Sequence, residues 1–175
     1  RMRAFVGIFL NEDLINKIEK IKEEVKKFPI ACKFVEKENL HITVTFFGEV
    51  NNVMLSDYIS KMENGLNEVK KFKILINGLK LIPHISFVRV IALNVIDKEN
   101  NIISIASKIG GDFKEPHLTL ARVKKVFDKN LLQKKVNEIK SLNEEFLIEK
   151  ISLIKSELTS KGPIYSIIKN FELND

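Results

Sequence analysis

Leu40-His41-Ile42-Thr43-Val44-Thr45-Phe46-Phe47 opens with polar and apolar side chains in alternation, the period-two signature of a strand with one wet face. His41 and Thr43 project together on that face, about 6.5 to 7 Å apart, while Leu40, Ile42, Val44 and Phe46 project the other way into a core. The device returns 76 residues later in Pro116-His117-Leu118-Thr119-Leu120-Ala121-Arg122-Val123. The chain has only three histidines, His41, His84 and His117, and only four threonines, so two copies of His-x-Thr with matched apolar backing are hard to ascribe to chance. One copy alone would read as an ordinary strand, because Thr suits strands and a single His is usually just hydrogen-bonded. Two copies almost half a chain apart imply a fold in which distant strands bring paired imidazoles and hydroxyls to one site.

Outward from these strands the pattern alternates. Leu14, Ile18, Ile21, Val25 and Phe28 recur at helical steps, with Asn11 placed to cap, Glu12 and Asp13 in the first turn, Lys26 and Lys27 at the end, and Pro29 as a stop. Further helices are expected over about 54–71, 98–109 and 130–140. Strands are expected from the first residues to Leu10 and over 33–35, 40–47, 72–81, 86–95, 117–126, 146–158 and 165–173. Thr159-Ser160-Lys161-Gly162-Pro163 reads as a hairpin turn. Strand pairs that follow one another without a helix point to α+β with a mixed or antiparallel sheet, and no Gly/Ser- or Pro-rich linker divides the chain. Residues 1–175 are therefore expected to form a single domain, with two lobes as a possible subdivision.

Composition narrows the class. A chain of 175 residues, 45% hydrophobic, can bury about 70% of its unfolded surface and needs no staple. The single cysteine, Cys32, excludes an internal disulfide framework and suits a reducing compartment, so a cytoplasmic location is expected. The apolar stretch Ala4 to Leu10 is too short for a secretory leader or a spanning helix, and no membrane association is expected. A net charge of +6 tilts the balance toward anionic partners.

Two imidazoles with ordinary pKa values near 6.5 can divide proton transfer near neutral pH, one accepting and one donating. Two threonine hydroxyls can donate to oxygens on which negative charge grows. A phosphodiester uses these parts: a base for water, an acid for the leaving oxygen, and donors for the phosphoryl oxygens. His84, beside Pro83, lacks the pattern and reads as a surface loop residue. No carboxylate has ligand spacing to either strand, so neither a metal nor another cofactor is expected.

The paired motifs, with Met2-Arg3-Ala4-Phe5-Val6 before them and Ser156-Glu157-Leu158 and Gly162-Pro163-Ile164-Tyr165 after, resemble the 2H phosphoesterases, in particular the RNA 2',3'-cyclic phosphodiesterases also described as 2'-5' RNA ligase-like. The resemblance implies a two-lobed, pseudo-twofold LigT-like α+β fold, mainly antiparallel, with helices on the outer faces and one His-x-Thr strand per lobe flanking a central cleft. It implies metal-independent hydrolysis of a terminal ribose 2',3'-cyclic phosphate to a 2'-phosphate, with a weak reverse 2'-5' ligation. His41 would then be proton donor to the departing 3'-oxygen and His117 proton acceptor from water, with Thr43 and Thr119 beside them. The implied partners are RNA ends or nucleotides bearing the cyclic phosphate, and a monomer is expected. Rival readings are a 2',5'-phosphodiesterase, an ADP-ribose cyclic phosphate hydrolase, or a non-catalytic RNA- or nucleotide-binding module.

Arg122 matches an arginine of the family's second motif and could bind phosphate bidentately, but strict alternation from His117 turns it to the wrong face unless the strand bulges. Phe47 and Tyr165, and also Phe9, are candidates for base stacking. Thr45 stands where many relatives carry a basic residue, and Arg89-Val90-Ile91-Ala92-Leu93 lacks a frequent Trp. Both departures are expected to bear on substrate grip.

Overall fold

The computed structural model describes residues 2–140 and 142–175. Among the described residues nine strands and four α-helices follow one another as β1 (Met2–Phe9), α1 (Glu12–Val25), β2 (Ile30–Phe34), β3 (His41–Glu49), α2 (Asn52–Leu66), β4 (Phe72–His84), β5 (Phe87–Ile96), α3 (Asn101–Ile109), β6 (His117–Val126), α4 (Lys129–Glu138), β7 (Asn143–Ile148), β8 (Lys150–Thr159) and β9 (Gly162–Glu172). The strands form one sheet in the order β7-β4-β5-β6-β3-β1-β8-β9, with β2 added to β6, and all its ladders are antiparallel. This is the α+β architecture that the run of helix-free strand pairs demands.

Local signals account for the helices. Asn11 accepts from Leu14 N–H at 2.8 Å, Asn51 from Met54 N–H at 2.9 Å and Asp128 from Leu131 N–H at 3.0 Å, each satisfying one orphan donor of a first turn. α1 buries Leu14, Ile18 and Val25 against the sheet, as its spacing predicts. It also buries Lys22, whose ammonium is held by the Val35 carbonyl and by Glu19 at 2.7 Å. α2 ends five residues before the expected Lys71, because the chain turns after Leu66 to enter β4.

The expected strand over 146–158 is two strands. β7 pairs with β4 and β8 with β1, at opposite ends of the sheet, and the chain breaks direction at Glu149. Apolar residues bury on both sides of the break, Phe146 and Ile148 in β7 and Ile151, Leu153 and Ile154 in β8, and only the exposed pair Glu149-Lys150 marks it. β8 and β9 close as a tight hairpin with Thr159 opposite Gly162, as the turn residues foretell.

The centre of the sheet positions the site. β3 and β6 touch through one Cα pair, Ile42 opposite Leu118, and then part: β3 continues along β1, and β6 along β5 and β2. Ile42 and Leu118 are fully buried, so the seam itself is core.

Candidate active site

The register across the seam determines the site. In an antiparallel pair with Ile42 opposite Leu118, His41 lies beside Thr119 and Thr43 beside His117. Directly opposed residues share a face, so all four polar side chains emerge together while Ile42 and Leu118 sink into the core. They line one cavity of about 700 Å³, a size suited to a small ligand, together with Arg122, Tyr165 and Phe46.

Both histidines are oriented by the same local device. His41 Nδ1–H donates to the Asn39 carbonyl at 2.7 Å, and His117 Nδ1–H to the Glu115 carbonyl at 3.3 Å. Each bond commits the proton to Nδ1 and leaves Nε2 as the reactive nitrogen. The Thr43 hydroxyl lies 3.0 Å from His41 Nε2 and donates to it when the ring is neutral. Burial, the largest influence, pushes both imidazoles below the ordinary value of 6.5, against the carbonyl bonds that raise them. The His117 and Arg122 charges push His41 down further; Lys80, Lys114 and Arg122 do so for His117.

Arg122 reaches the cavity through the bulge that alternation requires. Ile91 pairs with Ala121 and Ala92 with Thr119, leaving Leu120 as the extra residue, so Leu120 and Ala121 are buried in succession and Arg122 returns to the histidine face. β3 carries the same irregularity: Val6 pairs with Thr45 and Gly7 with Thr43, leaving Val44 extra. Val44 and Thr45 are therefore both buried, and Phe46, expected in the core, instead lines the cavity with 47% of its surface exposed. Phe46 is thus the counterpart of Arg122, each five residues after its histidine. That equal offset is the signal that could have found it.

The aromatic candidates separate. Tyr165 lines the cavity and sets its ring edge-on to His41, with centroids 5.4 Å apart, and its burial raises the phenol pKa. Phe5 packs on the same imidazole at 5.0 Å. Phe9 touches His41 from outside the main cavity, at 6.3 Å. Phe47 does not line the cavity; its ring stacks on Tyr58 at 3.8 Å and serves packing. Thr45 does not line the cavity either. Its buried hydroxyl donates to the Gly110 carbonyl at 2.8 Å, with the Asp112 carbonyl at 3.2 Å, fastening the loop that leads into His117. His84 lies at the end of β4 beside Ser86, away from the cavity. Among the described residues no three of His, Cys, Asp and Glu cluster to hold a metal, and no helix is long and apolar enough to cross a membrane.

Known proteins resemble this chain over nearly its whole length. An RNA 2',3'-cyclic phosphodiesterase of Methanocaldococcus jannaschii is 35% identical, with 97% of this chain and 100% of that protein covered. Another from Methanothermobacter thermautotrophicus is 30% identical over 99% and 100%. Among solved structures, a protein of Thermus thermophilus superposes with a TM-score of 0.80 at 23% identity, covering 98% of this chain and 97% of that one. E. coli LigT complexed with 3'-AMP superposes at 0.76 and 21% identity, over 99% and 98%. The family model of LigT-like phosphoesterases matches residues 8–91 and 101–165, which contain both His-x-Thr strands, and the chain belongs to that family of 2H phosphoesterases.

Proposed function

We propose that this protein hydrolyses a terminal ribose 2',3'-cyclic phosphate of RNA to a 2'-phosphate, with His41 and His117 as the acid and base. The observation that carries the reading is the Ile42–Leu118 pairing, which gathers two imidazoles and two hydroxyls on the wall of one cavity. Relatives that cover almost the whole chain are named for this activity.

In the reaction, His117 Nε2 takes a proton from water as its oxygen attacks phosphorus. The bond from phosphorus to the 3'-oxygen breaks, and protonated His41 gives that oxygen the Nε2 proton. Thr43 and Thr119 donate to the non-bridging oxygens as charge builds on them, and Arg122 supplies positive charge to the same group. An anionic phosphate favours the protonated form of the imidazoles beside it, opposing the burial that lowers both; the choice of His41 as acid and His117 as base is the one the family resemblance implies. An RNA 5'-hydroxyl in place of water gives a 2'-5' linkage, which makes slow ligation a side reaction of the same site. The whole chain acts as one domain and one catalytic unit, each half of the sheet lending one motif strand.

The test is to incubate the protein with adenosine 2',3'-cyclic phosphate in EDTA and identify the product by phosphorus NMR. Adenosine 2'-phosphate at an undiminished rate is expected. The 3'-phosphate, or activity abolished by the chelator, would overturn the mechanism. Tight binding without turnover of any cyclic phosphate would instead favour a nucleotide-binding module.

A further inference from the structure

The cavity carries cations that hydrolysis at the terminal phosphate does not use. Lys33 on β2 is paired with Arg122 on β6, so its side chain leaves the sheet on the Arg122 face, one strand further from the histidines. Its ammonium lies 3.4 Å from the Lys161 carbonyl at the tip of the β8–β9 hairpin, and both lysines line the cavity. Asn39 Nδ2–H donates to the Pro163 carbonyl at 3.1 Å, tying the same tip to the segment before β3. Among the described residues neither Lys33 nor Lys161 has a carboxylate within ion-pair distance, although nine other lysines do. Leu158, at the base of that tip, also faces the cavity and is 64% exposed.

A mononucleotide cyclic phosphate brings one phosphate, which the motif side chains and Arg122 take. It offers nothing to the two lysines. The next anion along an RNA strand is the phosphodiester one nucleotide upstream, and Lys33 stands one strand beyond Arg122. The Lys33 ammonium, held by one carbonyl and, among the described residues, without a carboxylate in ion-pair distance, keeps most of its attraction for such a group. The apolar surface of Leu158 adds a resting place for the face of the upstream base.

We infer that Lys33 and Lys161 form a subsite for the phosphodiester immediately upstream of the terminal cyclic phosphate, making the protein selective for RNA ends over free cyclic nucleotides. The inference rests on the hydrolase reading above. Its test compares kcat/KM for adenosine 2',3'-cyclic phosphate with kcat/KM for a dinucleotide ending in the same group, its internal linkage either a phosphodiester or an uncharged methylphosphonate. The phosphodiester dinucleotide is expected to be favoured about tenfold or more, since a charge-assisted bond is worth roughly 1.5 kcal/mol or more. That ratio should collapse in Lys33→Ala/Lys161→Ala, and the methylphosphonate should cost the wild type as much as the double substitution does, without adding to it. A wild-type ratio near one, or equal losses on mononucleotide and dinucleotide, would overturn the subsite. If the wild type cleaves neither substrate, the hydrolase reading falls and the subsite is read by affinity. Binding of the uncleaved phosphodiester dinucleotide must then weaken about tenfold in the double variant, and unchanged affinity overturns it.

Discussion

His41 and His117 hold the same place in two copies of one motif, yet their surroundings differ. His41 is walled by Phe5, Phe9 and Tyr165, bonded at 2.7 Å to the Asn39 carbonyl and at 3.0 Å to its own threonine. His117 has a longer 3.3 Å bond to Glu115 and lies among the charges of Lys80, Lys114 and Arg122. Five residues on, the first strand presents the Phe46 ring and the second the Arg122 guanidinium. A duplicated strand thus yields one enclosed, aromatic half-site and one open, cationic half-site. The backbone geometry is shared, and the chemistry is divided by what packs around it.

The largest effects break both halves. His41→Ala and His117→Ala should each lower kcat/KM by at least about 10²-fold, with circular dichroism and thermal midpoint showing that both variants fold. A loss confined to one of them would make the halves unequal in kind. Thr43→Val and Thr119→Val come next, each expected to cost on the order of 10- to 10²-fold. They sharpen the contrast, because only the Thr43 hydroxyl is bonded to an imidazole. Thr43→Val should move the pH–rate profile as well as the rate, whereas Thr119→Val should lower the rate alone.

The approach to each histidine differs too. Gly111 has φ +88°, and a Cβ there would stand 2.6 Å from the Phe46 carbonyl oxygen, on the loop that Thr45 fastens. Gly111→Ala should cost about 1–3 kcal/mol by denaturant titration, and Thr45→Val about 1 kcal/mol by removing the buried hydroxyl's bond to the Gly110 carbonyl, while the Asp112 carbonyl keeps the Phe46 N–H at 2.8 Å. Neither change alters the Asn39–His41 bond. The smallest effect is in stability against pH. Folding holds both imidazoles below 6.5, so the unfolded chain binds more protons once the pH falls below that value, and acidification from pH 7.5 toward 5 erodes stability. His41→Gln should flatten that slope in urea titrations; an unchanged slope would show that burial of His41 contributes little.

What could be read in advance follows strand arithmetic. Period-two projection places His41 with Thr43 and His117 with Thr119, and the structure keeps both pairs together. Arg122 was legible only on condition of a bulge, since a bulge depends on which strands lie alongside, here β5 and β2, and local sequence does not name them. The same blindness put Phe46 in the core and Phe47 in the site. A register shift of one residue exchanges the faces of everything after it. Thr45 misled for a related reason: its role is set by a loop 65 residues away in sequence. The break at Glu149 is marked only by the charged pair Glu149-Lys150, and two charged residues between apolar stretches suit a wet position in one strand as well as a junction between two.

The central claim, that two histidines divide acid and base duties at one phosphorus, is tested most directly by the pH dependence of kcat/KM in single variants. The wild type should give a bell centred below the ordinary imidazole value, because both free-enzyme pKa values are depressed by burial. His41→Gln should lose the alkaline limb and His117→Gln the acidic limb of the residual activity. A bell that survives intact in either variant, or the same limb lost in both, would contradict the division of labour.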